Sequence, residues 1–223
     1  MHFTSPLPSP LEAVIFDMDG LLLDTEALYK QTIFAACAEL GYAMTDELLL
    51  SMVGSPNEVS DAKLVFHFGA AFPLPDYHSI NRSHFARLSS GGIPLRPGAV
   101  EILTFLKASG IPRAVATSTD GESAHEHLRQ SGLHPLLDSI VTRTDVTRGK
   151  PHPETFLKAA HSLGANPANC LALEDSHNGV RAAAAAGMAT IMVPDLLLPT
   201  EEIRALCIGV ADSLSHVLAE LAR

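Results

Sequence analysis

Four short apolar runs constrain this chain more than any other feature: AVIF at 13–16, AVAT at 114–117, LAL at 171–173 and TIMV at 190–193. None alternates with polar residues, as a strand with one wet face would. Uninterrupted apolar strands separated by longer helical stretches point to a parallel sheet covered on both faces by crossover helices. The stretch AVEILTFLKAS before Gly110 supplies one such helix, with Ile102, Leu103, Phe105 and Leu106 at helical spacing. A second is expected over the Ala-rich segment Asn178 to Ala186, closed by Gly187 as a left-handed C′ residue. The run of alanines from Ala182 is read as close packing of that helix on the sheet.

The gap between the first two runs is far longer than one crossover needs, since roughly a dozen residues join parallel neighbours. From about Glu26 to Gly92 the sequence reads as consecutive helices (ALYKQTIFAACAELG, TDELLLSMVG, NEVSDAKLVFHFG, SINRSHFARLSS) punctuated by Pro and Gly, with no strand pattern. We therefore expect an α/β core made of residues 1–25 and 93–223 and an inserted helical cap domain at 26–92, both connections joining near the end of the first strand. One elaborated domain is the competing reading.

With 223 residues the chain can bury a substantial core, and its formal net charge of -10 argues against a nucleic-acid partner, because the 15 Lys and Arg residues are scattered. Cys37, Cys170 and Cys207 are far apart and form no CxxC, which suggests neither a disulfide framework nor a thiolate metal site and fits a reducing cytoplasm. The opening HFTSPLPSPLE contains no continuous apolar segment of the kind a signal peptide or membrane span requires, and is expected to be a loose tail. A monomer is the simplest expectation.

The first run ends directly in Asp17-Met18-Asp19-Gly20, two carboxylates two residues apart and a glycine that frees the chain to turn. Ligands bind at the carboxyl ends of parallel strands, where such acids can share a divalent metal or divide the work of nucleophile and general acid/base. Alone, this pattern also suits a solvated turn. Three other segments add to it. Thr117-Ser118-Thr119 ends the second run with hydroxyl and N–H donors suited to phosphoryl oxygens. Lys150 lies in GKPHP, held between residues whose backbone the prolines restrict. LAL closes in Glu174-Asp175-Ser176, and hard oxygens from two strand ends suit magnesium.

Taken together, FDMDGLLLDTE, ATST, GKPHPETF and LEDSHNGVRAAAAAGM resemble, in order and approximate spacing, the four motifs of the haloacid dehalogenase (HAD) superfamily, in its capped branch of phosphatases and β-phosphoglucomutase-like enzymes. The resemblance spans nearly the whole chain. It implies a Rossmann-like, doubly wound core and a magnesium-dependent phosphatase acting on a small phosphorylated metabolite, a sugar or polyol phosphate. By the same resemblance Asp17 attacks phosphorus to form an aspartyl-phosphate, while Asp19 protonates the leaving alcohol and then activates water. Thr117, Ser118 and Lys150 hold the phosphoryl group. Magnesium is held by Asp17, the backbone carbonyl of Asp19 and Asp175, with Glu174 bound directly or through a water. Such chemistry needs in-line positioning and charge stabilisation above all. Because Asp19 must enter the first step carrying a proton, a bell-shaped pH dependence is expected.

Three departures rank hydrolysis above isomerisation. Asn57 stands where β-phosphoglucomutase has the arginine for a second phosphate, within a segment resembling Val53-Gly54-Ser55-Pro56-Asn57. Tyr29 replaces a cap histidine, and Asp120-Gly121 replace a lysine-asparagine pair. The presence of Asp19 disfavours haloacid dehalogenase and phosphonoacetaldehyde hydrolase activity. A catalytically weak binding protein on the same fold is the alternative of a different class. The eleven histidines form no HExxH; His125 and His127 lie two apart, where a helix aims them differently. His177 and Asn178 follow the acidic pair, at a place where a solvent-facing loop is expected. Lys63, His67, Arg82, His84 and Arg87 carry no assigned role.

Overall fold

The computed structural model describes residues 2–3, 5–53, 55 and 57–223. Its strands are β1 (His2–Phe3), β2 (Ala13–Phe16), β3 (Arg113–Ala116), β4 (Ser139–Val141), β5 (Cys170–Glu174), β6 (Ala189–Met192) and β7 (Gly209–Val210). Among the described residues they form one sheet in the order β1-β7-β6-β5-β2-β3-β4, parallel except for β1 on β7. The parallel α/β sheet read from the apolar runs and the Rossmann-like core implied by the resemblance are both observed.

Because β2 lies between β5 and β3, with Phe16 opposite both Leu173 and Val115, the residues that follow all three strands emerge side by side. The sheet separates two apolar layers. Phe16, Val115, Leu171 and Leu173 pack with α5 (Ala99–Ala108) and α10 (Leu214–Leu221), where Ile102, Leu103 and Leu106 are fully buried. Ile15, Ala114 and Ala172 pack with α7 (Glu154–Ser162) and α8 (His177–Ala185). Ala182, Ala183 and Ala186 belong to that second layer, as the sequence led us to expect; their lack of bulk lets α8 come close to the sheet.

Between β2 and α5 run α1 (Glu26–Glu39), α2 (Asp46–Met52), α3 (Asn57–Phe68) and α4 (Leu74–Ser89). They share an apolar cluster of their own that includes Cys37, Leu49, Leu64, Phe72 and Tyr77. The chain leaves and re-enters the sheet region through adjacent segments: Leu23 bridges Leu95, Asp24 N–H donates to Pro94 (2.8 Å) and Arg96 N–H to Leu22 (3.0 Å). Arg96 also reaches Asp195 at 2.7 Å. The remaining helices are α6 (Gly121–Gln130) and α9 (Glu201–Leu206).

Some sequence expectations shift. The opening segment is not wholly a loose tail, since His2–Phe3 pairs with Gly209–Val210 at the sheet edge. The second run enters the sheet one residue early, as Arg113–Ala116, which places Thr117 just beyond the strand. Arg113 is tolerated there because its guanidinium turns to Asp138 and to the carbonyls of Ile111 and Leu136. The strands β4 and β7, three and two residues long, carry too little pattern to be seen as strands.

Candidate active site

At the end of β2 the chain turns at once. Leu22 and Leu23 N–H groups both return to the Met18 carbonyl, at 3.0 and 2.9 Å, and Gly20 N–H donates to Leu23 O (2.8 Å). Gly20 sits at φ 81, and a Cβ there would run into the Asp175 carboxylate, so this turn needs glycine twice over. The turn separates the two acids. Asp17, nearly buried, faces Lys150, whereas the Asp19 carboxylate accepts hydrogen bonds from Thr25 (2.9 Å), Thr119 (2.6 Å) and Thr117 (3.4 Å).

Lys150 is buried, with its ammonium 2.5 Å from Asp17 Oδ1, 2.5 Å from Glu174 Oε1 and above the Phe156 ring. Burial alone would lower the lysine pKa. Asp17 and Glu174 more than offset it and hold the ammonium charged. Burial pushes Asp17 up to about 8, with Lys150 pulling it back down and Glu174 and Asp19 raising it further. Asp175 is raised by burial and then by Asp17 and Glu174.

Glu174 is fully buried and accepts from four donors. Its Oε1 takes Lys150; its Oε2 takes the N–H groups of Asp175 (3.1 Å) and Ser176 (3.0 Å) and the Ser176 hydroxyl (3.0 Å). Ser176 also caps α8 by accepting from Gly179 N–H (3.1 Å). The glycine at 179 leaves the space that the Glu174 carboxylate occupies.

Thus Asp17, Lys150, Glu174 and Asp175 converge, with Asp19 and Thr117 alongside and Ser118 exposed on the wall of the same cavity. One ligand oxygen from each of Asp17, Glu174 and Asp175 fits within 4.8 Å of the others. Three buried carboxylates against one ammonium leave an excess of negative charge, and hard oxygens in that number suit a small divalent cation. The residues therefore fit the metal that the motifs imply. The Asp19 carboxylate stands apart from this trio.

The cavity encloses about 700 Å³ and continues from these residues to α1–α4 and α6. Tyr29 stacks on Phe85 at 4.9 Å and Phe85 on His127 at 4.9 Å, so an aromatic column joins α1, α4 and α6 along the wall. His127 is a lining residue that sequence reasoning passed over; it is the inward partner of the pair, while His125 contacts His134 at 3.3 Å. Thr25 and Thr119 were not singled out for Asp19 either, although DTE and TST hold hydroxyls near both motifs. Asn178 lines the cavity, whereas His177 reaches the Leu198 carbonyl (2.9 Å). Arg82 and Asn57 also line it. Gly54 and Pro56 of the segment around Asn57 lie outside the described residues. No described helix is long and apolar enough to cross a membrane.

Residues 14–193 match the family described as haloacid dehalogenase-like hydrolase, and the chain belongs to that family. Within it, the chain is a phosphoric monoester hydrolase. A phosphorylated carbohydrates phosphatase of Thermotoga maritima is 34% identical over 181 residues, covering 81% of this chain and 84% of the relative. A probable pseudouridine-5'-phosphatase of Drosophila melanogaster is 34% identical over 196 residues, 84% of each chain. The crystal structure of a CbbY mutant from Rhodobacter sphaeroides with xylulose-(1,5)bisphosphate superposes with TM-score 0.80 at 31% identity, over 95% of this chain and 99% of that one.

Proposed function

We infer that the chain is a magnesium-dependent phosphatase that hydrolyses a small sugar or polyol phosphate through an aspartyl-phosphate on Asp17. The observation that carries this reading is the buried contact of Asp17 with Lys150 next to an Asp19 held by three threonine hydroxyls. One Asp17 oxygen attacks phosphorus as the bond to the leaving alcohol breaks, and Asp19 delivers its proton to that alcohol oxygen. Asp19 then takes a proton from water, whose oxygen attacks the phosphorus of the aspartyl-phosphate and frees Asp17 and inorganic phosphate. Thr25 and Thr119 fix the Asp19 carboxylate for both transfers. Lys150, oriented by Glu174, offsets charge on Asp17 and on the phosphoryl oxygens, to which Thr117 and Ser118 donate. Magnesium would be held by Asp17, Asp175 and the backbone carbonyl of Asp19, with Glu174 acting directly or through a water, and would neutralise phosphoryl charge.

Residues 26–92 act in this reading as a cap domain that shields the reaction from bulk water and selects the alcohol. Their separate apolar cluster and the two adjacent crossings at Leu23 and Leu95 support it. A monomer in a reducing cytoplasm is the proposed setting. The test is phosphate release from a panel of sugar, polyol and nucleotide monophosphates, with and without magnesium. Asp17→Asn, close in volume, is expected to abolish release while the protein stays folded. Full activity in that variant refutes the mechanism; conversion of substrate to an isomer without release would establish the mutase reaction instead.

A further inference from the structure

We propose that the leaving-group end of the cavity is an electrostatic filter that admits phosphomonoesters whose alcohol carries no second negative charge. It discriminates against bisphosphates and phosphorylated carboxylic acids. This inference rests on the phosphatase reading, which makes Asp19 the marker of where the alcohol departs.

The residues around that point are acidic. Among the described residues lining the cavity beyond Asp17, Asp19 and Asp175, Glu26, Asp61, Asp120, Glu122 and Glu126 are carboxylates and Arg82 is the one guanidinium. Three of them belong to the Asp19 side. The half-buried Tyr29 hydroxyl is raised by desolvation and then by Asp19, Glu26 and Asp120; burial lowers the His127 pKa, while Asp19, Asp120 and Glu126 pull it back up. Glu26 and Tyr29 come from α1, while Glu126 and His127 lie in α6 and Asp120 at its N-cap, so the alcohol leaves beside an acidic wall built mainly by α6.

Three of these carboxylates, Asp120, Glu122 and Glu126, stand on or just before α6, where they cap it or lie exposed. Asp120 caps α6 by accepting from Ser123 N–H at 3.1 Å. Glu122 and Glu126 are exposed and stand four residues apart, on one stripe of that helix. Glu126 also meets Gln130 (2.9 Å) and Arg129 (3.0 Å), a solvated pair whose cation is not part of the cavity wall. On the opposite side Asp61 holds the His78 ring at 3.0 Å, leaving Arg82 as the isolated cation of the cap wall. A neutral polyhydroxy alcohol finds acceptors here. A second phosphate or a carboxylate meets repulsion from several directions in a partly enclosed site of reduced dielectric. The CbbY structure holding a bisphosphate shows that a neighbouring fold takes the class of substrate this chain is argued to reject.

The experiment compares kcat/KM for matched pairs in magnesium: a hexose monophosphate against the corresponding bisphosphate, and glycerol phosphate against phosphoglycerate. The parent enzyme is expected to favour the member of each pair that carries no second anionic group by about tenfold or more, with the gap shrinking as salt is added. The double variant Glu122→Gln/Glu126→Gln, at exposed positions, should narrow both ratios several-fold through KM. Equal or inverted preference in the parent overturns the filter, as does an unchanged ratio in the double variant. Hydrolysis of every compound regardless of charge removes this inference alone, whereas hydrolysis of none removes the phosphatase reading along with it.

Discussion

Gly179 offers a substitution whose effect the sequence and the structure predict with opposite signs. It occupies the first turn of α8 with no left-handed backbone, and in a helix alanine is favoured over glycine by about 1 kcal/mol. In the fold, however, a Cβ at 179 would overlap Oε1, Cδ and Oε2 of Glu174. Glu174 cannot simply turn aside, because its carboxylate accepts from Lys150 at 2.5 Å, from two backbone N–H groups and from the Ser176 hydroxyl. Hydrogen bonds to a charged group contribute about 1.5–3 kcal/mol each, so losing two costs about 3–6 kcal/mol. Pushing α8 outward instead incurs an overpacking cost of about 1–3 kcal/mol. Because the protein takes the cheaper route, subtracting the helix-propensity gain leaves Gly179→Ala destabilised by about 2 kcal/mol at the most, lowering Tm by up to roughly 4–8 °C in a chain of this size. Lys150 would lose its orientation, so kcat should fall at least about tenfold. Thermal unfolding by circular dichroism and phosphate-release kinetics read both effects, with Gly91→Ala, whose Cβ meets open space, as control. A Gly179→Ala protein that melts at or above the parent and keeps its kcat would refute the claim that this glycine makes room for Glu174.

Thr119→Val keeps volume but removes the hydroxyl 2.6 Å from Asp19; kcat should drop about tenfold while Tm stays within the shift of about 1 kcal/mol, checked by the same two assays. Glu26 is raised to about 7 by burial, Asp19, Asp195 and Asp24, so its contribution to stability is present below the unfolded value near 4.5 and is lost as pH rises through 7. Glu26→Gln should therefore flatten stability over that window and exceed the parent by at most about 3 kcal/mol above it, measured by urea denaturation across pH. Magnesium added to chelated protein should raise Tm by several degrees at about a hundredfold excess over Kd, and Asp175→Asn should abolish the rise. Because the Asp17 proton, held up to about 8, must leave before its carboxylate binds metal, affinity measured by calorimetry should strengthen as pH rises toward that value.

Strand positions were legible where apolar runs were long enough to exclude polar alternation, and helices where caps and glycines punctuated them. What escaped was set by pairing partners. Residues such as Ser139–Val141 become a strand because β3 offers an edge, not through any pattern of their own. The acids of the site were legible for a similar reason, as charges abruptly following apolar strands. Their division of labour was less so. Nothing in DMDG tells that the turn through Gly20 sends Asp19 to Thr25 and Thr119, nor that Glu174 is filled by donors from its own downstream backbone. His127 was hidden because its inward aim depends on Phe85, forty-two residues earlier in α4.

The central place of β2 also governs the order in which the molecule can be assembled. Its two neighbours, β3 and β5, follow only after the helices of 26–92 and, for β5, after α6 and α7 as well. During synthesis the strand leading to Asp17 therefore waits with both edges unpaired, while the helices behind it can already gather their own apolar residues. Pairings so distant along the chain are slow to form and leave an adhesive apolar edge exposed meanwhile. A nascent chain halted before Cys170 thus holds Asp17 without the strand that brings Glu174 and Asp175 to it, and is the species on which a chaperone would have most to do.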